Sequence, residues 1–94
     1  MNESERKEID VLKCVANEIR YKILRLLKEE ELCVNDIMEN LEEDQTLISH
    51  HLKRLYNCGL VDKKREGRKI RYSIADEAVF EFMRKVGEIS ETKC

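Results

Sequence analysis

The chain has 94 residues, enough for one small domain and too few for two catalytic domains or a doubly wound nucleotide-binding sheet. Charged residues make up 40% of the sequence and the net charge is −2, a balance that, taken as a whole, argues against a nucleic-acid partner. No apolar run is long enough to cross a membrane, and the polar start of the chain lacks the apolar segment of a signal peptide. We therefore expect a cytoplasmic protein without a membrane partner, whose four cysteines are reduced thiols.

The first third of the chain predicts two helices after a polar, frayed start over residues 1–8. Ile9, Leu12 and Ala16 recur at helical spacing, and Asn17 is a residue type that caps the next helix. This second helix has the strongest amphipathic pattern of the sequence, formed by Ile19, Ile23, Leu24, Leu26 and Leu27. These patterns indicate a helical scaffold with one buried face.

The middle of the chain predicts a helix-turn-helix. A short extended segment at 32–34 precedes a brief helix, for which Asn35 is the expected cap. Asp44 caps the next helix, over residues 45–58, and Gly59 supplies the left-handed residue that ends it. The expected apolar face of this helix comprises Ile48, Leu52, Leu55 and Tyr56. A short helix, a tight turn and a helix with one polar face together make the motif.

A change of period after this motif predicts a wing and a last helix. Within residues 60–74 polar and apolar residues alternate on both sides of a Glu66-Gly67-Arg68 turn, which is typical of a β-hairpin. Asp76 caps a final helix, whose polar end over residues 88–94 is expected to fray. The predicted fold is therefore a mainly α, dimeric winged helix-turn-helix with one β-hairpin, a single DNA-binding domain over residues 1–94.

The net charge conceals a strong segregation of sign along the chain. Residues 45–72 contain eight basic and two acidic side chains, a net charge of +6. Residues 1–44 carry −6 and residues 73–94 carry −2. All of the positive excess lies in the helix at 45–58, which we call the recognition helix, and in the hairpin. The overall balance therefore does not exclude a nucleic acid.

Double-stranded DNA is the partner that these two elements favour. Side chains that can reach base edges or phosphates lie on the recognition-helix face opposite its apolar residues, namely Gln45, Thr46, Ser49, His50 and Lys53. Basic side chains near the hairpin tip can contact phosphate or enter the minor groove, namely Lys64, Arg65, Arg68, Lys69 and Arg71. The alternative is a solvated helix face beside a charged surface hairpin. The coincidence of polar face, preceding turn and clustered charge favours DNA.

A family resemblance is carried by four short stretches and the wing turn: residues 15–24, 31–37, 49–55 and 59–61, with Arg65-Glu66-Gly67-Arg68 and Tyr72. Together these resemble the ArsR/SmtB family of winged-helix repressors over roughly residues 9–87. A proline common near Asn17 in the family is missing, although Asn17 still serves as a cap.

The resemblance implies a homodimer built from the first and last helices. It also implies an operator with two-fold symmetry, whose major grooves accept the two recognition helices about 34 Å apart. Repression would be relieved when a ligand favours a low-affinity state of the dimer.

The resemblance makes the four cysteines candidate metal or redox residues, since relatives sense soft ions of the As(III), Cd and Zn class through thiolates. These are Cys14, Cys33, Cys58 and Cys94. The family's Cys-x-Cys site is incomplete, because Cys33 is followed two residues later by Asn35. Its site on the last helix is also incomplete, because residues 76–91 contain no histidine.

Other readings of the thiols and histidines remain open. Cys14, Cys33 and Cys58 can be small packed apolar side chains, whereas Cys94 lies in a polar tail without a packing role. A thiol redox switch through paired cysteines is a further alternative to a metal site. His51 is expected to be a partly buried edge residue, and the adjacent His50 and His51 are not expected to bind a metal together.

Two alternatives to a ligand-released repressor remain. One is a winged-helix regulator without a small-molecule sensor, and the other is a winged-helix module used for protein contact alone. An enzyme is not expected. The sequence has no supported Ser-His-Asp arrangement, no Gly-rich phosphate loop and no metal-binding His-Glu motif.

Overall fold

The computed structural model, which describes residues 1–93, contains five helices and three short strands in that range. In chain order they are α1 (Glu3–Val15), α2 (Glu18–Glu29), β1 (Leu32–Cys33), α3 (Val34–Leu41), α4 (Gln45–Asn57), β2 (Val61–Glu66), β3 (Lys69–Ile74) and α5 (Glu77–Lys93). This is the predicted winged helix-turn-helix, with α3 and α4 as the motif and β2–β3 as the wing. None of the helices described in this range is long and apolar enough to span a lipid bilayer.

The wing is part of a three-stranded antiparallel sheet in the order β1-β3-β2. The sequence predicts the β2–β3 hairpin, but the pairing of β1 with β3 is an addition. Leu32 pairs with Tyr72 and Cys33 with Arg71. Through this pairing the start of the helix-turn-helix is hydrogen-bonded to the wing, so the two elements predicted to bind DNA have a common scaffold.

Three of the four predicted helix caps are confirmed. The side-chain oxygens of Asn17, Asp44 and Asp76 accept backbone N–H groups in the first turns of α2, α4 and α5 at 3.0, 2.8 and 2.8 Å. The prediction that Asn35 caps α3 is wrong. The helix begins two residues earlier than predicted, at Val34, with Cys33 at the cap position, where the Asp36 carboxylate accepts the Cys33 N–H at 3.2 Å.

Both ends of the described chain are helical. α1 begins at Glu3, because Asn2 and Glu5 form a capping box in which each side chain accepts the other's backbone N–H. α5 continues to Lys93, supported by ion pairs of Arg84 with Glu81 and Glu88. The structure thus places residues 3–8 and 88–93 in helices where the sequence predicts frayed ends, and residue 94 lies outside the described range.

The core lies where α2, α3 and α4 meet. Its fully buried members include Ile23, Leu24, Ile37, Ile48, Leu52 and Leu55, which confirms the predicted apolar faces of α2 and α4. Tyr56 does not belong to that face. It is 42% exposed and lies beneath the ammonium of Lys63, whose Nζ is 4.4 Å from the ring centroid. The contact joins the end of α4 to the first strand of the wing.

Candidate nucleic-acid interface

The recognition helix, α4, presents a continuous polar face to solvent. Its opposite side is anchored by Ile48, Leu52 and Leu55, none of which is exposed. The helix starts at its Asp44 cap and ends before Gly59, whose φ of 77° is the left-handed conformation expected there. The side chains predicted to contact DNA are all exposed, namely Gln45, Thr46, Ser49, His50 and Lys53.

The wing is a tight hairpin whose basic side chains are divided between its two faces. Gly67 adopts a φ of 63° in the two-residue loop between Glu66 and Lys69, as such loops require. Residues paired across the strands share a face of the sheet, so Lys64 lies with Arg71 and Arg65 with Ile70. Positive charge from both faces therefore comes together only near the tip.

One predicted DNA-binding residue of the wing already has an anionic partner. The Nε of Arg71 donates to the Oε1 of Glu66 at 2.9 Å, and both side chains are partly exposed. The remaining predicted wing residues are exposed, namely Lys64, Arg65, Arg68 and Lys69. No ion pair involves any of these four within residues 1–93, so their charges are available to a partner.

The start of the recognition helix and the tip of the wing line one open groove of about 320 Å³. Gln45 contributes from α4, and Arg68 and Lys69 contribute from the wing. The first turn of α3 forms the opposite wall, with Cys33 and Asp36. The structure thus brings together two groups of residues that the sequence identifies separately, and it adds Cys33 to their surroundings.

A partly buried arginine that sequence reasoning missed connects α1 to the recognition helix. Arg20, in α2, donates from Nε to the carbonyl oxygen of Cys14 at 2.5 Å and from Nη2 to that of Lys13 at 3.3 Å. Its Nη1 lies 3.1 Å from Nδ1 of His51, in α4. No feature of the local sequence indicates these contacts, because the partners lie in two other helices, α1 and α4.

His51 is held as a neutral imidazole. A guanidinium only donates hydrogen bonds, so Nδ1 of His51 must be the acceptor and its proton must be on Nε2. The side chain is 8% exposed, and burial, followed by the positive charge of Arg20, lowers its pKa. His51 is therefore more deeply buried than the predicted edge residue, and Arg20 is its specific partner. His50 is exposed beside it.

The cysteines do not assemble into one site in the described part of the chain. Cys14 is fully buried and lies beside Cys58, which is half-buried, whereas Cys33 is buried at the groove near the wing. Within residues 1–93 no three His, Cys, Asp or Glu side chains are grouped so that they could hold a metal ion. The fourth candidate, Cys94, lies outside the described residues.

The fold and the polar, basic surface define a class of protein, the winged helix-turn-helix transcriptional regulators. Residues 17–63 match the model of the bacterial regulatory proteins of the arsR family. The chain belongs to this family, as the resemblance predicts.

Individual relatives agree with this assignment. The chain is 37% identical over 76 residues to a cadmium resistance transcriptional regulatory protein CadC homolog of Staphylococcus aureus, covering 80% of this chain and 63% of that protein. It is 35% identical over 88 residues to an HTH-type transcriptional regulator of Methanocaldococcus jannaschii, covering 93% and 99%. Among solved structures, it is similar to a homodimeric winged helix-turn-helix DNA-binding domain of Mycobacterium bovis, with a TM-score of 0.88, 29% identity and coverage of 97% and 88%.

Proposed function

We propose that this protein is a homodimeric transcriptional repressor that binds a two-fold-symmetric operator through α4 and the wing at residues 60–74. The observation that carries the proposal is the shared groove between Gln45 of α4 and Arg68 and Lys69 of the wing. A helix in the major groove and a basic wing along the adjacent backbone need such a continuous surface. The net charge of +6 over residues 45–72 supplies the electrostatic attraction to phosphate.

An apolar surface between α1 and α5 supports the homodimer. Leu12, Val15, Phe82 and Val86 line a shallow groove of about 490 Å³. Leu12 is 50% exposed and Ile89, further along α5, is 59% exposed, although both are large apolar side chains. An exposed apolar surface of this kind is typical of a site that another protein chain covers. A second copy of the chain would cover it and would place two recognition helices in symmetric positions.

We further infer that cysteine thiols receive the signal that releases the operator. The relative in Staphylococcus aureus is named for cadmium resistance, which makes a thiophilic inducer of the As(III), Cd and Zn class a first candidate. The residues in one described chain do not fit a metal centre with three thiolate ligands, because Cys33 is remote from the Cys14–Cys58 pair. Thiol oxidation is therefore the candidate that the arrangement of these side chains favours.

Selection of bound sequences from a random pool of duplex DNA tests the proposal without assuming an operator sequence. The proposal predicts enrichment of a palindrome whose half-sites are centred about one helical turn apart. Replacing Arg65, Arg68 and Lys69 with glutamine should abolish the enrichment, whereas the same change at Arg25, Lys28 and Lys85 should not. If no sequence is enriched even at low salt, the result would instead favour a winged-helix module that contacts proteins only. Enrichment with no effect of thiol reagents on binding would favour a regulator without a small-molecule sensor.

A further inference from the structure

Cys14 and Cys58 meet where the end of α1 packs against the end of α4. The Sγ atom of Cys14 lies 3.5 Å from the carbonyl oxygen of Arg54, one helical turn before Cys58. The same carbonyl accepts the backbone N–H of Cys58 at 3.1 Å. The Cys58 side chain lies close enough to the Cys14 thiol to raise its pKa. The two sulfur atoms are therefore neighbours, although they come from helices far apart in the sequence.

The two thiols differ in their access to solvent and therefore in their reactivity. Cys14 is fully buried, and burial, followed by the nearby Cys58 side chain, raises the pKa of Cys14 to about 12. A thiol that is shielded and stays protonated does not react with solutes. Cys58 is only half-buried at the edge of the core, so a small solute reaches it first.

The surroundings of the pair favour redox chemistry over metal binding. No third His, Cys, Asp or Glu side chain within residues 1–93 joins Cys14 and Cys58 in a possible metal site. One accessible thiol next to one shielded thiol is the arrangement in which the first reacts with an oxidant and the second resolves the product.

We propose that Cys14 and Cys58 form a redox-active dithiol that hydroperoxides oxidise to an intramolecular disulfide. The sulfur of Cys58 attacks the O–O bond, an alcohol or water leaves, and Cys58 becomes a sulfenic acid. The sulfur of Cys14 then attacks the sulfenic sulfur, the S–S bond forms, and water leaves with the thiol proton of Cys14. In sum, two thiols lose two electrons and two protons, and the hydroperoxide is reduced to an alcohol and water.

The position of the pair couples its oxidation to the recognition helix. A covalent bond draws the sulfur of Cys14 toward Cys58 and away from the Arg54 carbonyl, to which it is hydrogen-bonded in the reduced state. The carbonyl of Cys14 accepts from Arg20, which in turn contacts His51 of the recognition helix. Oxidation therefore changes how α4 sits on α1, the helix that contributes to the proposed dimer. The consequence for DNA rests on the proposed function: oxidation lowers the affinity for the operator roughly tenfold.

The chemistry is tested first without DNA. The full chain carrying Cys94→Ser is treated with hydrogen peroxide, digested without reductant and analysed by mass spectrometry. A peptide linking Cys14 to Cys58 is expected, and it should persist in the further variant Cys33→Ser and disappear in Cys58→Ser. Cys58 is the residue of choice for substitution, because it is only half-buried whereas Cys14 is fully buried. Linkage of either thiol to Cys33, or Cys58 oxidised with no linked peptide, would overturn the proposal.

The consequence for DNA is tested on the selected duplex by fluorescence anisotropy. Peroxide should weaken binding by the Cys94→Ser protein roughly tenfold, a reductant should restore it, and Cys58→Ser should not respond. Unchanged affinity of a protein shown to carry the Cys14–Cys58 disulfide would overturn the coupling. If the disulfide forms but the reduced protein binds no duplex, the dithiol stands and the proposed function fails. If the reduced protein binds the duplex but no disulfide forms, the proposed function stands and the dithiol proposal fails.

Discussion

The contact between Arg20 and His51 connects the imidazole of His51, in the recognition helix, to the C-terminal end of α1. Nη1 of Arg20 lies 3.1 Å from Nδ1 of His51, while its Nε donates to the carbonyl of Cys14. The side chain thus satisfies the open C-terminal carbonyls of α1 and the buried acceptor of α4 at the same time. A single planar donor group spans three helices, so its shape is as important as its charge.

Replacement of Arg20 by lysine should destabilise the fold although the charge is kept. An ammonium cannot serve acceptors from two helices through one rigid fork, so at least one buried acceptor loses its partner. The expected decrease in the free energy of unfolding is on the order of 1–3 kcal/mol. Urea denaturation followed by circular dichroism measures it, with Arg25→Lys, an exposed position on the same helix, as the control. Equal effects of the two substitutions would show that the contacts of Arg20 are unimportant.

The stability of the protein should decrease as the pH falls below about 6.5. Because burial and Arg20 lower the pKa of His51 from 6.5 in the folded state, the unfolded chain binds a proton more readily in this range. The loss begins at the unfolded pKa and ends below the folded one. His51→Asn keeps an acceptor for Arg20 but does not titrate, so its unfolding free energy should depend less on pH. His50→Asn, the exposed neighbour, is the matched control; the explanation fails if both variants flatten the profile equally.

Replacement of Glu66 by glutamine should tighten DNA binding. The change releases Arg71 from its ion pair and removes one of the two acidic side chains in residues 45–72. The affinity should rise, and its dependence on salt should become steeper by about 0.9 in the logarithmic slope for each added phosphate contact. Anisotropy titrations at several salt concentrations measure both quantities, and Glu39→Gln, on exposed α3, controls for net charge. An unchanged or shallower slope would mean that Arg71 does not contact phosphate.

Replacement of Leu12 by asparagine should weaken the homodimer without unfolding the chain. Leu12 is half-exposed and lines the apolar groove between α1 and α5, so the substitution removes apolar contact only when a second chain covers it. Sedimentation equilibrium should give a larger dissociation constant than for the parent protein, with an unchanged circular dichroism spectrum. Glu39→Asn serves as an exposed helical control. A monomeric parent protein would contradict the proposed assembly.

The elements of this fold are predictable from sequence where local chemistry determines them. The caps at Asn17, Asp44 and Asp76 and the left-handed Gly59 are dictated by the side chain or backbone at one position. The polar face of α4 follows from a strict helical period. The start of α1 could also have been predicted, because Asn2 and Glu5 have the spacing of a capping box.

Features that depend on distant partners could not be predicted. The neighbourhood of Cys14 and Cys58, the Arg20–His51 contact and the β1–β3 pairing each join parts of the chain far apart in sequence. The contact of Tyr56 with Lys63, on a later strand, is likewise non-local. Periodicity alone assigns Tyr56 to the core, since it lies at the right spacing for burial.

The salt dependence of DNA binding tests the central claim most directly. Three proteins are titrated with one duplex over a range of salt concentrations. They are the parent protein, a wing variant in which glutamine replaces Arg65, Arg68 and Lys69, and a control variant with the same change at Arg25, Lys28 and Lys85. For the parent protein we expect log affinity to decrease linearly with log salt. The wing variant should bind more weakly, and its slope should be shallower by about 0.9 for each lost phosphate contact. The control variant should change little. Equal slopes for all three proteins would contradict the assignment of the wing and the recognition helix as the DNA-binding surface.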